Sequence, residues 1–79
     1  MALVTYYVAL PFGISDEGDL VAGEAVECQS ANGARMMAVR MAETHAGAIA
    51  FSRTGDPSVG EFEPAKIFDR FGQTPNEVD

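Results

Sequence analysis

The sequence has little of several residue types on which common functions depend. Its 79 residues include one cysteine and one histidine. A single cysteine excludes an intramolecular disulfide framework and a zinc site built from clustered cysteines. A single histidine leaves few arrangements in which an imidazole base activates a nucleophile. We therefore expect a non-enzymatic protein that needs no cofactor and no metal.

Basic residues are also scarce. Five Lys and Arg residues stand against twelve Asp and Glu residues, so the formal net charge is −7 at pH 7. Nucleic-acid backbones and anionic membrane surfaces attract proteins through basic patches. The charge therefore predicts neither nucleic acid nor membrane as a partner. It leaves a protein partner or a homodimer as the expectation.

Long apolar segments are absent too. No run approaches the roughly 20 residues that span a bilayer. Residues 1–10 are largely apolar and contain no Lys or Arg before the apolar run, whereas a secretory signal has a basic segment there. With no export signal and a lone cysteine, we expect the protein in the reducing cytoplasm.

What is present is typical of a globular domain. Apolar residues make up 47% of the chain and charged residues 22%, whereas disordered chains have few core formers. The length allows one domain, which we place at residues 1–72. Residues 73–79 include Pro75 and two acidic residues, and we expect them to form a flexible tail.

The first third of the chain predicts a β-hairpin. Residues 3–10 are rich in the β-branched and aromatic types that favour strands, and Pro11 and Gly13 are expected to end this strand. Residues 20–28 predict a second, antiparallel strand after a polar loop. The more apolar face of the first strand, which we assign to the core, consists of Val4, Tyr6, Val8 and Leu10.

Residues 31–46 change to the 3.6-residue period of a helix. Ser30 is the expected N-cap and Gly47 the expected C′ residue, and His45 in the last turn suits the negative end of the helix dipole. The stripe expected to cover the sheet consists of Ala34, Met37, Ala38, Met41, Ala42 and His45.

The remaining segments predict two more strands. Residues 48–53 fit a strand, and residues 54–60 are dense in turn formers. Residues 62–71 fit either a short helix opened by Pro64 or an edge strand with Ile67 and Phe71 facing inward, and we favour the strand. The order β-β-α-β-β predicts an α+β two-layer sandwich, an antiparallel sheet with one main helix on one face.

The most distinctive polar cluster lies at the predicted hairpin tip. Arg53 and Thr54, with the amide of the next residue, are groups that bind carboxylates or phosphates. The spacing is not of the Walker type, and nearby acidic residues would repel an anion. A structured turn in which Arg53 pairs with Asp56 is the competing interpretation. We take Arg53, Thr54 and Asp56 as ligand-binding candidates.

The outer face of the predicted helix is the second candidate. It carries Arg35, Met36, Val39 and Arg40. Methionine is common on adaptable contact surfaces, and the two arginines would suit an acidic partner. Scattered exposed apolar residues are also ordinary, so this interaction surface stands beside a purely structural interpretation.

For three further features we prefer a structural interpretation to a functional one. A loop with Asp16, Glu17 and Asp19 has too few oxygen donors for calcium and is expected to be solvated. Cys28 is either a reactive thiol or, as we expect, a small buried apolar residue. His45 is expected to cap the helix rather than act as a base.

Two resemblances bear on function. The segments LVAGEAVEC (20–28) and GAIAFSRTGDP (47–57), with the alanine-rich helix between them, resemble a family of short uncharacterised bacterial proteins. That resemblance would cover most of the chain and implies no particular activity. The strand–strand–helix order opening with YYVAL (6–10) is similar to small antitoxins that inhibit a ribonuclease toxin. Here VEC (26–28) stands where those antitoxins have Pro-Gly-Cys.

These observations favour a small acidic protein-interaction module in the cytoplasm, non-enzymatic and capable of self-association. One alternative is a domain that binds a small molecule or an anion, or an enzyme, using the hairpin tip at residues 52–56. A further alternative, implied by the second resemblance, is an antitoxin-like inhibitor of a protein partner.

Overall fold

The computed structural model describes residues 3–75, which form one helix and six strands. In chain order the elements are β1 (Val4–Ile14), β2 (Leu20–Ala22), β3 (Val26–Cys28), α1 (Ala31–Thr44), β4 (Gly47–Asp56), β5 (Glu61–Phe62) and β6 (Lys66–Gly72). All strand pairings are antiparallel, in one sheet ordered β2-β1-β4-β5, with β3 beside β1 and β6 beside β4. The prediction of an antiparallel sheet with one helix, an α+β arrangement, is confirmed.

The element order differs from the predicted β-β-α-β-β because two segments are interrupted. Residues 20–28 form two short strands, β2 and β3, instead of one. Residues 61–72 form β5 and β6, separated by a segment that contains Pro64, which has no N–H to donate to a ladder. The strand interpretation of residues 62–71 is confirmed over the helical one.

Strand β1 does not end near Pro11, as predicted, but continues to Ile14. Pro11 still pairs with Ala48 of β4. Its carbonyl accepts a hydrogen bond from the N–H of Gly23 at 2.8 Å, at the interruption between β2 and β3. The nitrogen and the carbonyl of a residue in an antiparallel strand point to the same neighbour, so the missing N–H faces this interruption. Proline is therefore tolerated inside the strand.

The ends of α1 follow from local hydrogen bonds. The hydroxyl of Ser30 accepts from the N–H of Gly33 at 3.0 Å, which confirms the predicted N-cap. The helix ends at Thr44, and the N–H and Nδ1 of His45 each lie 2.9 Å from the carbonyl oxygen of Met41. His45 is thus the C-cap. Gly47 begins β4, so its predicted role as C′ residue was wrong.

The core between helix and sheet is built from small side chains. Ala34 and Ala38 of α1 have no solvent exposure, and Met41 is also buried. They pack against Ala9, Ala48 and Ala50 of the central strands, which are likewise fully buried. Alanine on both sides lets the helix backbone approach the sheet closely. Met37 and Ala42 pack at the margin as predicted, whereas His45, also assigned to this stripe, is exposed.

Two predicted strand faces were wrong. In β1 the helix-side core contains Tyr7 and Ala9, so the larger set of Val4, Tyr6, Val8 and Leu10 lies on the opposite face. In β6, Phe71 packs towards the helix as predicted, but Ile67 pairs with Phe51 on the other face. A bulge between β4 and β6 shifts the alternation and brings Phe68 to the helix side instead.

The described part of the C-terminal segment is hydrogen bonded to the domain. The N–H of Gln73 donates to the carbonyl of Ala46 at 3.0 Å, and Nη1 of Arg70 donates to the carbonyl of Pro75 at 2.6 Å. Of the tail predicted at residues 73–79, residues 76–79 lie outside the described range. No helix in the described range has the length and apolarity to cross a membrane.

Candidate interaction surface

The sheet face that points away from α1 carries the large apolar side chains of the two central strands. Directly opposed residues in antiparallel strands share a face. Val8 is paired with Phe51 and Leu10 with Ile49, and Phe51 is also paired with Ile67. We call this surface the open face and define it by Tyr6, Val8, Leu10, Phe12, Ile49, Phe51 and Ile67.

The open face carries more apolar side chains than is usual for a sheet face in contact with water. In an antiparallel sheet with one wet face, polar residues normally alternate with apolar ones, and strands apolar on both faces are typical of sheets covered on both sides. Here Ile49 and Phe51 of β4 alternate with the alanines of the helix-side core. The larger side chains of β4 thus lie on the face that α1 does not cover.

Burial on the open face is uneven. Ile49 is fully buried and Phe12 is 4% exposed. Val8, Leu10 and Phe51 are only half-buried. The open face therefore has a packed floor surrounded by apolar side chains that retain contact with solvent.

Opposite charges flank the open face at its two edges. Val26 and Cys28 pack towards the helix, so Glu27 between them projects on the open face of β3, where it is paired with Val8. Arg70 of β6 is paired with Ile49 and shares its face. Both charged residues are exposed. The apolar surface thus has an acid at one edge and a base at the other.

Strand β5 shapes one end of the open face. A Cβ atom on Gly55 would lie 2.3 Å from the carbonyl oxygen of Glu61, so only glycine lets β5 approach β4 this closely. The ring of Phe62 passes over Gly55 and lies 6.0 Å from the ring of Tyr6, at an interplanar angle of 46°. The separation is within the range over which aromatic rings pack as pairs.

The ligand-binding candidates at the hairpin tip have separate partners. Nε of Arg53 donates to the carbonyl of Glu63 at 3.2 Å, and the hydroxyl of Thr54 lies 2.9 Å from that of Thr5. The carboxylate of Asp56 accepts from the N–H and the hydroxyl of Ser58, at 2.9 and 2.6 Å. Asp56 is therefore bound to its own turn rather than to Arg53.

A shallow depression of about 610 Å³ lies beside these residues. Its walls include three carboxylates and no basic side chain, so an anionic ligand would be repelled there. Arg53 and Thr54 do not line it, and of the three candidates only Asp56 does. The lining residues are Leu3, Gly55, Asp56, Gly60, Glu61, Phe62 and Glu63.

The predicted outer face of α1 is exposed. Met36 is 56% and Val39 39% accessible to solvent, and Arg40 is also exposed. Arg35 forms an ion pair with Asp69 of β6, and its guanidinium carbon lies 5.8 Å from the centre of the Phe68 ring. One of the two arginines is thus engaged within the domain. The two apolar side chains of this surface, Met36 and Val39, are more exposed than any residue of the open face.

The other singled-out residues are part of local structure. His45 caps the helix, and the half-buried Cys28 packs at the edge of the helix-side core. In the acidic loop, the hydroxyl of Ser15 accepts from the N–H groups of Glu17 and Asp19, at 3.3 and 3.2 Å. Across residues 3–75, no three His, Cys, Asp or Glu side chains are grouped so that they could hold a metal ion.

The chain matches no protein-family model, no curated protein and no solved structure in the three comparisons made. The two resemblances stated from the sequence therefore remain expectations. Function has to be inferred from the geometry of the domain itself.

The open face escaped the sequence interpretation although its signal was present. Strands β1 and β4 are apolar on both faces, which is visible as near-continuous runs at residues 3–14 and 47–51. The sequence interpretation places Val4, Tyr6, Val8 and Leu10 in the core because this set is the more apolar of the two. A run that is apolar on both faces predicts two covered faces, and one helix covers only one.

Proposed function

We propose that this protein is a non-enzymatic protein-interaction module that binds its partner through the open face. In this proposal the domain is a two-layer sandwich, and the partner supplies a third layer over the sheet. The observation that carries the proposal is the position of Val8, Leu10 and Phe51, large apolar side chains left half-buried on the face without a helix. A sheet face that carries large, partly accessible apolar side chains and no helix is a surface against which another protein can pack.

A protein suits the open face better than other classes of ligand. Small-molecule sites are concave and enclose most of their ligand, whereas the open face is the broad surface of a sheet. A net charge of −7 opposes binding to nucleic acid and to anionic membranes. We place this interaction in the cytoplasm, where a lone cysteine stays reduced.

Site-specific photo-cross-linking in the cell of origin tests the proposal. A photoreactive amino acid is placed at Val8 or Phe51 on the open face, and in a control chain at Val59. Val59 lies at the β4–β5 turn and is 64% exposed, so random collisions favour the control position. We expect a discrete adduct from the open-face positions and none from Val59. Equal yields from all three positions, or no adduct from the open face, would contradict the proposal.

The outer face of α1 is a second protein-binding candidate, favoured by the exposed Met36 and Val39 between two arginines. An antitoxin-like inhibitor would be one form of such a module, with a ribonuclease toxin as its partner. If the outer face carries the interaction, a photoreactive amino acid at Val39 gives the discrete adduct, Met36→Glu removes that adduct, and open-face substitutions leave it unchanged.

The small-molecule, anion or enzymatic alternative at the hairpin tip has a separate test. Titration with inorganic phosphate and a panel of small carboxylates would shift the amide resonances of Arg53, Thr54 and Asp56 if they form one site. Because their side chains have different partners, we expect no selective shift. Saturable shifts confined to these three residues would favour the alternative.

A further inference from the structure

We infer that residues 73–75, which we call the strap, cover part of the open face, and that a partner must displace them to bind there fully. The inference rests on the proposed function and adds how access to the same surface is controlled. It follows from the path of the chain after β6, which crosses onto the open face and is hydrogen bonded there at both ends of the strap.

The strap begins at a glycine that changes the direction of the chain. Gly72, the last residue of β6, has a φ of +70°, in the left-handed region that favours glycine. The N–H of the next residue, Gln73, donates to the carbonyl of Ala46 at 3.0 Å, immediately before β4 begins. The start of the strap is therefore fixed beside the first residue of β4.

A second glycine shows which face of the sheet the strap crosses. Side chains alternate between the two faces along a strand, so position 47 belongs to the open face together with Ile49 and Phe51. A Cβ atom on Gly47 would overlap the backbone N, C and O atoms of Gln73. The backbone of Gln73 thus fills the space that a side chain at position 47 would occupy on the open face.

Arg70 holds the other end of the strap on the same face. Its side chain shares the face of Ile49, and its Nη1 donates to the carbonyl oxygen of Pro75 at 2.6 Å. A charged donor makes this a stronger hydrogen bond than one between two neutral groups. Thr74 and Pro75 are half-buried, so they lie against the domain and not in solvent.

Burial on the open face is greatest beside the strap. Phe12 is paired with Gly47 and is 4% exposed, and Ile49, two residues further along β4, is fully buried. Val8 and Phe51 lie farther from Gly47 and are half-buried. Displacement of the strap therefore adds Phe12 and Ile49 to the apolar surface that a partner can reach.

The strap and the partner compete for the same surface. A partner that binds only the released state has an apparent affinity reduced by the fraction of chains in which the strap is released. Weakening a contact of the strap raises that fraction. The contact of an exposed arginine changes such an equilibrium by about fivefold, so its loss should strengthen partner binding by a similar factor.

Two substitutions release the strap in different ways. Arg70→Gln removes the charged donor, and Arg40→Gln at an exposed position of α1 is its control with the same change of charge. Gly47→Ala places a Cβ atom in the space of the strap, and Gly13→Ala is its control, because a Cβ there meets nothing within 4 Å. Far-UV circular dichroism verifies that each variant is folded, and if one release variant is not, the other carries the comparison.

Two measurements report release without a partner. Amide hydrogen exchange follows the N–H of Gln73, and the fluorescence of anilinonaphthalene sulfonate reports exposed apolar surface. We expect exchange about fivefold faster and brighter dye fluorescence in Arg70→Gln and Gly47→Ala, and wild-type values in both controls. Photo-cross-linking from Phe51 at limiting partner should then give about fivefold more adduct in the two release variants.

The possible failures are distinguishable. Wild-type exchange of Gln73 or wild-type dye fluorescence in the folded release variants would overturn the strap as a cover. An adduct from Phe51 with the same yield in every chain would overturn its control of access and leave the proposed function in place. Release of the strap with no adduct from any chain would overturn the proposed function, and with it the competition between strap and partner.

Discussion

The alanine layer between helix and sheet predicts that Ala38→Leu destabilises the domain. Ala38 has no solvent exposure and belongs to the same cluster as Ala9, Ala48 and Ala50. Leucine adds three carbon atoms to a space already filled by neighbouring side chains and backbone. Alanine and leucine both favour helices, so the substitution changes packing with little change in helix propensity.

The expected loss is a substantial part of the total stability. Overpacking a close-packed core costs about 1–3 kcal/mol. A chain of this length has roughly 4–12 kcal/mol of unfolding free energy, from 0.05–0.15 kcal/mol per residue. In a domain of this size each kcal/mol lowers Tm by about 4–8 °C. Urea unfolding followed by circular dichroism measures the loss as a lower midpoint with an unchanged slope.

Val39→Leu on the outer face of the same helix is the matched control. Val39 is 39% exposed, so leucine has room there and removes a β-branched residue from a helix. We expect its stability to equal or slightly exceed that of the wild type. If Ala38→Leu were as stable as Val39→Leu, the helix could not lie against the sheet as closely as the alanine layer requires.

Three further predictions concern local features. Ser30→Ala should lower the free energy of unfolding by about 1 kcal/mol because it removes the helix cap, whereas Ser30→Asp should keep the cap and the stability. Urea unfolding midpoints measure both changes, and equal losses in the two variants would refute the capping role. Gly55→Ala should displace β5 from β4, because the added Cβ would overlap the carbonyl of Glu61. Hydrogen exchange should then show unprotected amides in β5, and protection equal to that of the wild type would contradict the prediction. A double-mutant cycle on Arg35 and Asp69 should give a coupling free energy of about 1 kcal/mol or less, because the two side chains are 46% and 30% exposed. A larger coupling would be inconsistent with an ion pair at the surface.

The helix was the element most fully determined by local sequence. The 3.6-residue spacing of Ala34, Ala38 and Met41 identified its buried stripe, and Ser30 fixed its first turn. Its last turn depended on His45, whose capping role was predicted although its place in the buried stripe was not correct. The two caps are short-range hydrogen bonds, at Ser30 and at His45, and local sequence is enough to predict them. The burial of a helix residue depends instead on packing against the sheet.

The strands depended on contacts between distant parts of the chain. Pro11 signals a strand end from local sequence alone, yet β1 continues because its unpaired side faces the break between β2 and β3. The inward position of Phe68 follows from a bulge where β6 pairs with β4. Neither the break nor the bulge has a local sequence pattern that specifies it.

In the candidate site, too, some features follow from local sequence and others depend on contacts between distant parts of the chain. Exposure of Met36 and Val39 followed from helical periodicity, whereas the open face required knowledge of which side of the sheet α1 covers. Large apolar residues on β1 suggested a core, but the helix packs against the smaller set. The large apolar residues of β1 therefore indicated a face that is suited to packing, but they did not indicate whether the helix packs on that face.

Photo-cross-linking from Phe51 in the otherwise unchanged chain, in Val8→Lys and in Val39→Lys tests most directly that the open face binds the partner. Val8 is half-buried at the centre of the open face, and Val39 lies on the outer face of the helix. The account predicts the same discrete adduct from the unchanged chain and from Val39→Lys, and none from folded Val8→Lys. An adduct lost in Val39→Lys and retained in Val8→Lys, or no adduct from any of the three chains, would contradict it.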